Sequence, residues 1–374
     1  MRILINREVD ESYDLVFGEN LFPRIASDLK ENPLGEKYAI ITDSNVRQLY
    51  SDSLEKMLIQ EGLTATTFSF EAGEQNKTIE NAMKIIGDMS RLKYGRDTAI
   101  LALGGGVVGD LAGFIAAIFN RGVPYIQIPT TLLAQADSSI GGKTAVNTEY
   151  GKNLVGAFKQ PEKVYLDVAM LTTLSDRDYS SGLAETIKHG IIRDKTFFDY
   201  LWNNPDLMIK RNPEFLLNLA KNNCRIKGKI VELDPHEIGL RRILNYGHTV
   251  GHAIERLSLN KYEQKENPSY LSHGEAVAMG MMIAGRIANT LGYFSKEELE
   301  KQKNLLSAAG LSIKIPLEIS NGAIIETTSI DKKAKNGQAR YALPIALGKM
   351  HEFGGIYVRE VDNKIVLDVI EQTR

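Results

Sequence analysis

The sequence predicts an N-terminal α/β domain built on a mostly parallel sheet, followed by a mainly α-helical C-terminal domain. Three observations predict it. The chain of 374 residues is too long for one ordinary core. Its first half alternates short apolar runs with helical stretches, the pattern of buried strands and the helices that cover them. From about Asp176 onward helical periodicity takes over. We place the boundary near Leu174-Ser175, giving domains 1–174 and 175–374. No low-complexity linker or internal repeat intervenes, so a cleft between the domains is the expected ligand site.

The elements follow in order. Met1 to Asn6 lacks the long apolar core of a signal peptide and reads as a first strand. Tyr38 to Thr42 is an apolar strand that ends in the turn signal Asp43-Ser44. Ser53 to Glu61 and Thr78 to Arg91 read as helices, and Glu74-Gln75-Asn76-Lys77 between them as a polar turn. Thr98 to Leu103 is a strand running into three glycines, and Tyr125 to Pro129 is another strand. In the second half helices are expected over Gly182 to Ile192, Pro213 to Val231, Ile243 to Leu257, Gly274 to Leu291 and Lys296 to Ala309. Arg340 to Leu347 and Gly355 to Val361 read as short strands, and the polar stretch Leu257 to Ser272 as a surface loop.

Composition narrows the function classes. Apolar residues make up 43% and charged residues 25%, the proportions of a globular protein. No apolar run reaches bilayer length, which argues against a membrane span. A net charge of −2 gives no nucleic-acid footprint, so an anionic ligand would have to be met by a few placed Lys and Arg side chains. The single cysteine, Cys224, rules out an internal disulfide and a Cys-rich metal site, and fits a reducing cytoplasm.

Gly104-Gly105-Gly106-Val107-Val108-Gly109-Asp110 follows a strand and opens an apolar helix, with GxGxxG spacing. Glycines let the backbone approach a pyrophosphate, and the helix N-terminus favours its negative charge. A plain strand-to-helix turn is the competing reading. The next strand, Tyr125 to Pro129, has no acidic residue for a ribose, a role open to Asp43. Downstream, Asp137 to Thr144, Asn147 and Gly151 to Leu154 concentrate Gly, Ser, Thr and Lys in what reads as a long loop. Its lysines suit a phosphate, although the P-loop spacing is absent.

Three of the six histidines, His248, His252 and His273, fall in one window. His248 and His252 are one helical turn apart on one face, and His273 opens the next helix. Glu185 lies within an apolar helical stretch. A Glu with two His suits catalytic zinc, which takes three protein ligands and keeps a position open. Spacing alone leaves open which two histidines coordinate, and solvated or core histidines are the bland alternative.

Together these stretches resemble the 3-dehydroquinate synthase family over nearly the whole chain. The resemblance runs through Gly104 to Gly113, Arg121-Gly122, Gln127 to Leu133, Asp137 to Asn147, Gly151 to Phe158, Ser181 to Ile192, Gly239 to Glu255, His273 to Gly280, Asp331-Lys332-Lys333, Leu343-Pro344 and Gly348-Lys349. It implies a Rossmann-like NAD-binding N-terminal domain and a helical metal-binding C-terminal domain. It implies zinc, or cobalt in its place, on Glu185, His248 and His273, which leaves His252 to face a substrate phosphate. Implied NAD+ contacts are Asp43, Glu74, Lys77, Gly105, Gly106, Val107, Gly109, Asp110, Thr130, Thr131, Lys143, Lys152, Leu171, Thr172 and Thr173. Implied substrate contacts are Asp137, Lys143, Asn153, Lys188, Lys227, Arg241, Asn245, His252 and one of Lys332-Lys333, with Lys333 favoured. Arg121 is expected to reach the site of a second subunit, so a homodimer is implied. Asn76 departs from the tyrosine of many members.

The implied reaction is the second step of the shikimate pathway. It converts 3-deoxy-arabino-heptulosonate 7-phosphate to 3-dehydroquinate and phosphate through transient oxidation, phosphate elimination, re-reduction and intramolecular aldol closure. The alternatives are another sugar-phosphate cyclase (amino-dehydroquinate, deoxy-inosose or valiolone-type), a metal-dependent polyol dehydrogenase, and a non-catalytic NAD sensor. The dehydrogenase has no use for a dense set of anion-binding lysines, and the sensor leaves the metal triad unexplained.

Overall fold

The computed structural model describes residues 10–261, 270–330 and 338–374. The stretch Met1 to Asn6 and the pair Lys332-Lys333, both given roles above, lie outside the described residues. The chain divides into two compact units. One comprises Met1–Thr130 with Ser138–Met170, the other Thr131–Asp137 with Leu171–Arg374.

The first unit is built on six parallel strands: β1 (Asp14–Gly18), β2 (Lys37–Asp43), β3 (Thr64–Phe70), β4 (Thr98–Gly104), β5 (Tyr125–Pro129) and, after a hairpin, β8 (Lys163–Asp167). Their order is β1-β8-β5-β4-β2-β3. β4 and β5 are buried along their whole length, which is why they read as continuous apolar runs. Helices α1 (Phe22–Glu31), α2 (Asp52–Gln60), α3 (Ile79–Arg91) and α4 (Gly106–Ile118) cover the sheet. Two apolar clusters fill the layers, one around Ile85, Ile100, Leu111 and Ile115, the other around Ile25, Leu54, Leu101 and Ile126. The expected long loop is a correction. Lys143–Thr148 and Gly151–Phe158 form an antiparallel hairpin, β6 and β7, with Val146 buried against the core of the unit. β7 is otherwise mostly exposed, so no buried apolar alternation marks it in the sequence.

The second unit is mainly helical: α5 (Asp176–Arg193), α6 (Lys195–Asn203), α7 (Pro213–Leu233), α8 (His248–Lys261), α9 (His273–Thr290), α10 (Lys296–Ala308), α11 (Asn321–Ile330) and α12 (Asn363–Glu371). The helix expected from Ile243 is split. Leu240–Asn245 is a 3-10 turn, and Gly247 at φ +79° reverses the backbone before α8 starts. Leu257 to Lys261, expected in a loop, belong to α8. The strands expected near the end are shorter: Arg340–Tyr341 with Arg359–Glu360, and Pro344–Ala346 with Lys349–Met350. No helix among the described residues is long and apolar enough to cross a membrane.

Candidate functional site

Each unit carries one cluster. In the first, β2 has β3 on one side and β4 on the other, so the strand order turns there. Ligands of open α/β sheets bind beyond the carboxyl ends of the strands at such a point. Asp43, Glu74 to Lys77 and the glycine loop all leave the sheet at those ends. Asp43 Oδ1 accepts from the amides of Asn45 and Val46 at 3.0 and 2.9 Å, so it also caps the turn that follows. Gly105 is the N-cap of α4, and the first helical bond runs from Gly109 N to Gly105 O at 3.0 Å. The amides of Gly106, Val107 and Val108 therefore have no acceptor within the helix and point along its positive end, a cradle suited to a pyrophosphate.

Glu74–Asn76 forms a 3-10 turn, not a plain polar turn, and it closes a charge cluster. Lys77 Nζ is 3.1 Å from Glu74 Oε1 and 3.0 Å from Asp110 Oδ2, and Asn147 Nδ2 donates to Glu74 Oε1 at 2.8 Å. Burial works against the Lys77 ammonium, but Asp110 and Glu74 outweigh it and raise its pKa. Burial likewise pushes Glu74 up, yet Lys77, Lys152 and Asn147 hold it below the usual carboxylate range. Thr130, after β5, is buried. Lys143, Lys152 and Asn153 are exposed on the hairpin, with Asn153 at φ +54° and its amide donating to Asn147 Oδ1 at 3.0 Å. Arg121 is exposed at φ +72°.

In the second unit three helices bring Glu185, His248 and His273 together, and their ligand atoms lie within 4.8 Å of one another. Glycines permit the approach. A Cβ on Gly274 would come within 2.1 Å of Ser181 O on α5, and one on Gly280 within 1.9 Å of Gly247 O at the head of α8. His273 stands in the first turn of α9, which a Ser272–Glu275 capping box fixes and Arg177 braces through Glu275 at 2.8 Å. Glu185 is fully buried. Its Oε1 faces His248 Nε2 at 3.4 Å and His273 Nε2 at 3.5 Å, and its Oε2 is ion-paired with Lys188. A buried carboxylate converging with two imidazoles is a donor set that fits a divalent zinc-like cation.

Around this triad lie buried cations. Lys188 Nζ donates to Leu244 O at 2.9 Å. Lys227 Nζ pairs with Asp137 Oδ1 at 2.6 Å. Burial pushes the Asp137 carboxyl up, but Lys227 and Lys188 outweigh it and hold it well below its usual range. Burial pulls the Lys227 ammonium down, and the positive charges of Arg241 and Lys188 add to that. Arg241 is 2% exposed, on a turn whose amides are gathered by Asp234. Asn245 Nδ2 donates to Glu237 Oε1 at 2.7 Å. The ring of His252 is 5.0 Å from that of His248 and 5.8 Å from that of His273. Thr131 precedes the π-helical turn Ala134–Ser138 that holds Asp137, and Leu171 and Thr172 end the 3-10 turn Val168–Thr172, just before Thr173.

Two residues escaped the sequence reading. Glu255, buried, meets His273 Nδ1 at 3.2 Å; its place seven residues after His248 on the same helical face was the available signal. His189, one turn after Glu185, is fully buried with Nδ1 2.9 Å from Asn223 Oδ1. Burial and Lys188 lower its pKa to about 4, so it is neutral.

Comparison with known proteins gives a consistent picture. The model of the 3-dehydroquinate synthase N-terminal domain matches residues 67–181, and that of the C-terminal domain matches residues 182–334. The chain is 44% identical over 358 residues to the 3-dehydroquinate synthase of Desulforamulus reducens, covering 96% of this chain and 97% of the relative. Among solved structures it is similar to a 2-deoxy-scyllo-inosose synthase complexed with carbaglucose-6-phosphate, NAD+ and Co2+. There the TM-score is 0.86, the identity 27%, and 97% of each chain is covered. It is also similar to a 2-epi-5-epi-valiolone synthase from Streptomyces hygroscopicus with NAD+ and Zn2+ bound, with a TM-score of 0.86, 25% identity, and 100% and 99% of the two chains covered.

Proposed function

The chain belongs to the 3-dehydroquinate synthase family, and from that premise we propose that it converts 3-deoxy-arabino-heptulosonate 7-phosphate to 3-dehydroquinate and phosphate, as a phosphate-eliminating lyase dependent on NAD+ and on zinc or cobalt. The observation that carries the reading is the buried Glu185 carboxylate facing two imidazoles with one oxygen and paired with the buried Lys188 through the other. Glu185, His248 and His273 would hold the metal, which when bound supplies Lewis acidity at a substrate oxygen. The amides at the head of α4, with Asp43, Glu74, Lys77 and Asp110 around them, would hold the NAD+, which when bound supplies a reversible hydride acceptor.

The protein's own work is to hold a polyanion in one pose. Lys188, Lys227 and Arg241 are buried cations at this site and would meet the anionic groups of an acidic substrate. Asp137, held ionised, accepts substrate hydroxyl protons in hydrogen bonds and keeps Lys227 placed. Asn245 supplies a neutral donor. Lys143, Asn153, His252, Lys333 and Arg121 of a second copy are assigned to the phosphate. A mixed dimer of Arg121→Ala and Lys143→Ala subunits tests the last assignment: about half the wild-type activity returns if Arg121 acts across the interface, and little returns if it acts within its own subunit. A cytoplasmic setting suits the single buried thiol.

The competing reading within the same fold is a cyclase for a neutral sugar phosphate. Lys227 and Arg241, assigned to a substrate carboxylate by the family resemblance, favour the heptulosonate. Phosphate release from it, lost on chelation and restored by Zn2+ or Co2+, with none from glucose 6-phosphate, supports the proposal. The reverse preference refutes it.

A further inference from the structure

We propose that Glu255 is a positioning residue that fixes the tautomer and orientation of His273 and so sets how tightly this site holds its metal. The inference rests on the metal reading of Glu185, His248 and His273 given above.

Both imidazoles turn Nε2 toward Glu185 Oε1, at 3.4 and 3.5 Å. Each must keep a lone pair on that nitrogen, so each needs an acceptor for the proton on Nδ1. His248 Nδ1 donates to the peptide oxygen of Tyr246 at 3.0 Å. His273 Nδ1 donates to Glu255 Oε2 at 3.2 Å. The two acceptors differ in kind. A peptide oxygen is fixed by the backbone and carries only a partial charge. A buried carboxylate carries a full charge, so it both orients the ring and makes Nε2 a stronger donor to a cation. Glu255 is 8% exposed and comes from α8, the helix that also supplies His248. One helix therefore carries a ligand at one end of its face and, two turns on, the group that aims the other ligand.

Glu255 also belongs to a second group, with His252 and His273, whose ligand atoms lie within 4.8 Å of one another. The ring of His273 separates the two roles: Nε2 serves the Glu185 side and Nδ1 the Glu255 side.

The test uses metal-free full-length protein, with Zn2+ binding measured by competition against a chromophoric chelator. Glu255→Ala, Glu255→Gln and His273→Ala are compared with wild type, and far-UV circular dichroism reports folding. Glu255→Ala is expected to weaken Zn2+ binding by about 10- to 100-fold at unchanged stoichiometry. Glu255→Gln, whose amide oxygen still accepts from Nδ1, loses less, and His273→Ala loses most. Activity of Glu255→Ala returns as Zn2+ is raised. Wild-type affinity in Glu255→Ala alongside a defective His273→Ala overturns the inference and leaves the metal reading standing. Loss of the bound ion from Glu255→Gln makes Glu255 a ligand and also overturns it. Unchanged affinity in His273→Ala overturns the metal reading itself. If Glu255→Ala fails to fold, Glu255→Gln decides: affinity below wild type, recovered with added Zn2+, supports the inference, and affinity equal to that of wild type contradicts it if Glu255→Asp, which shortens the reach to Nδ1, binds equally well.

Discussion

The charge clusters of the two units are built from similar residues to different ends. In the first unit Lys77 lies between Glu74 and Asp110, and Asn147 donates to the same Glu74 oxygen that faces Lys77. These polar atoms answer one another, and the surface proposed for the NAD+ is backbone: the amides at the head of α4. In the second unit Glu185 turns one oxygen to the His248 and His273 imidazoles and the other to Lys188, so potential ligand atoms from three helices converge on one point. A closed charge cluster stabilises a scaffold, whereas ligand atoms that converge at a buried carboxylate form a site that a cation would complete. On the proposed function, the first unit would meet its ligand with backbone amides and the second with charged side chains.

Glu185→Ala should break that contrast most severely. It removes the one carboxylate of the triad, and activity should fall by about 1,000-fold or more, with loss of bound metal measured by elemental analysis. A variant that keeps both metal and activity would place the ion elsewhere. Gly105→Val tests the backbone cradle. Gly105 adopts φ −73°, ψ −170°, which any residue accepts, so the variant should fold. Its side chain should intrude on the pyrophosphate and raise the Kd for NAD+ by about 10- to 100-fold, leaving Zn2+ binding unchanged in calorimetry. Equal loss of both ligands would mean a folding defect and not a local clash.

Lys77→Met tests the scaffold claim. It leaves two partly buried carboxylates without their cation and should cost about 3 kcal/mol of stability in a denaturant titration of the metal-free protein. A change within error would make the cluster dispensable for folding. The smallest effect is on pH dependence. Glu74 is held below its ordinary range, so its stabilisation is present above the unfolded carboxylate pKa and lost as pH falls through the lowered folded value. Glu74→Gln should flatten the acid limb of the stability profile without changing its slope at alkaline pH.

How much of this the sequence carried also differs between the units. β4 and β5 were legible because burial on both faces makes them continuous apolar runs. β3, Thr-Ala-Thr-Thr-Phe-Ser-Phe, was not, because its threonines dilute the apolar signal. The β6–β7 hairpin read as a loop because its exposed strand, Gly-Lys-Asn-Leu-Val-Gly-Ala-Phe, has no alternation of apolar and polar residues. Five helices of the second unit followed from periodicity, one of them shortened where Gly247 breaks the run, whereas Lys195–Asn203, Asn321–Ile330 and Asn363–Glu371 were not read as helices. His248, His252, His273 and Glu185 were visible as residue types. The pairing of Lys227 with Asp137 was not, because the partners are 90 residues apart and only the tertiary fold joins them.

The central claim is a cyclase that borrows a hydride and returns it. It is tested most directly by supplying the heptulosonate phosphate in large excess over NAD+ and following free phosphate and reduced nicotinamide together. The account predicts that all of the substrate releases phosphate while no reduced cofactor accumulates. Phosphate release that stops at the amount of NAD+ added, or one reduced nicotinamide formed per substrate consumed, would contradict it.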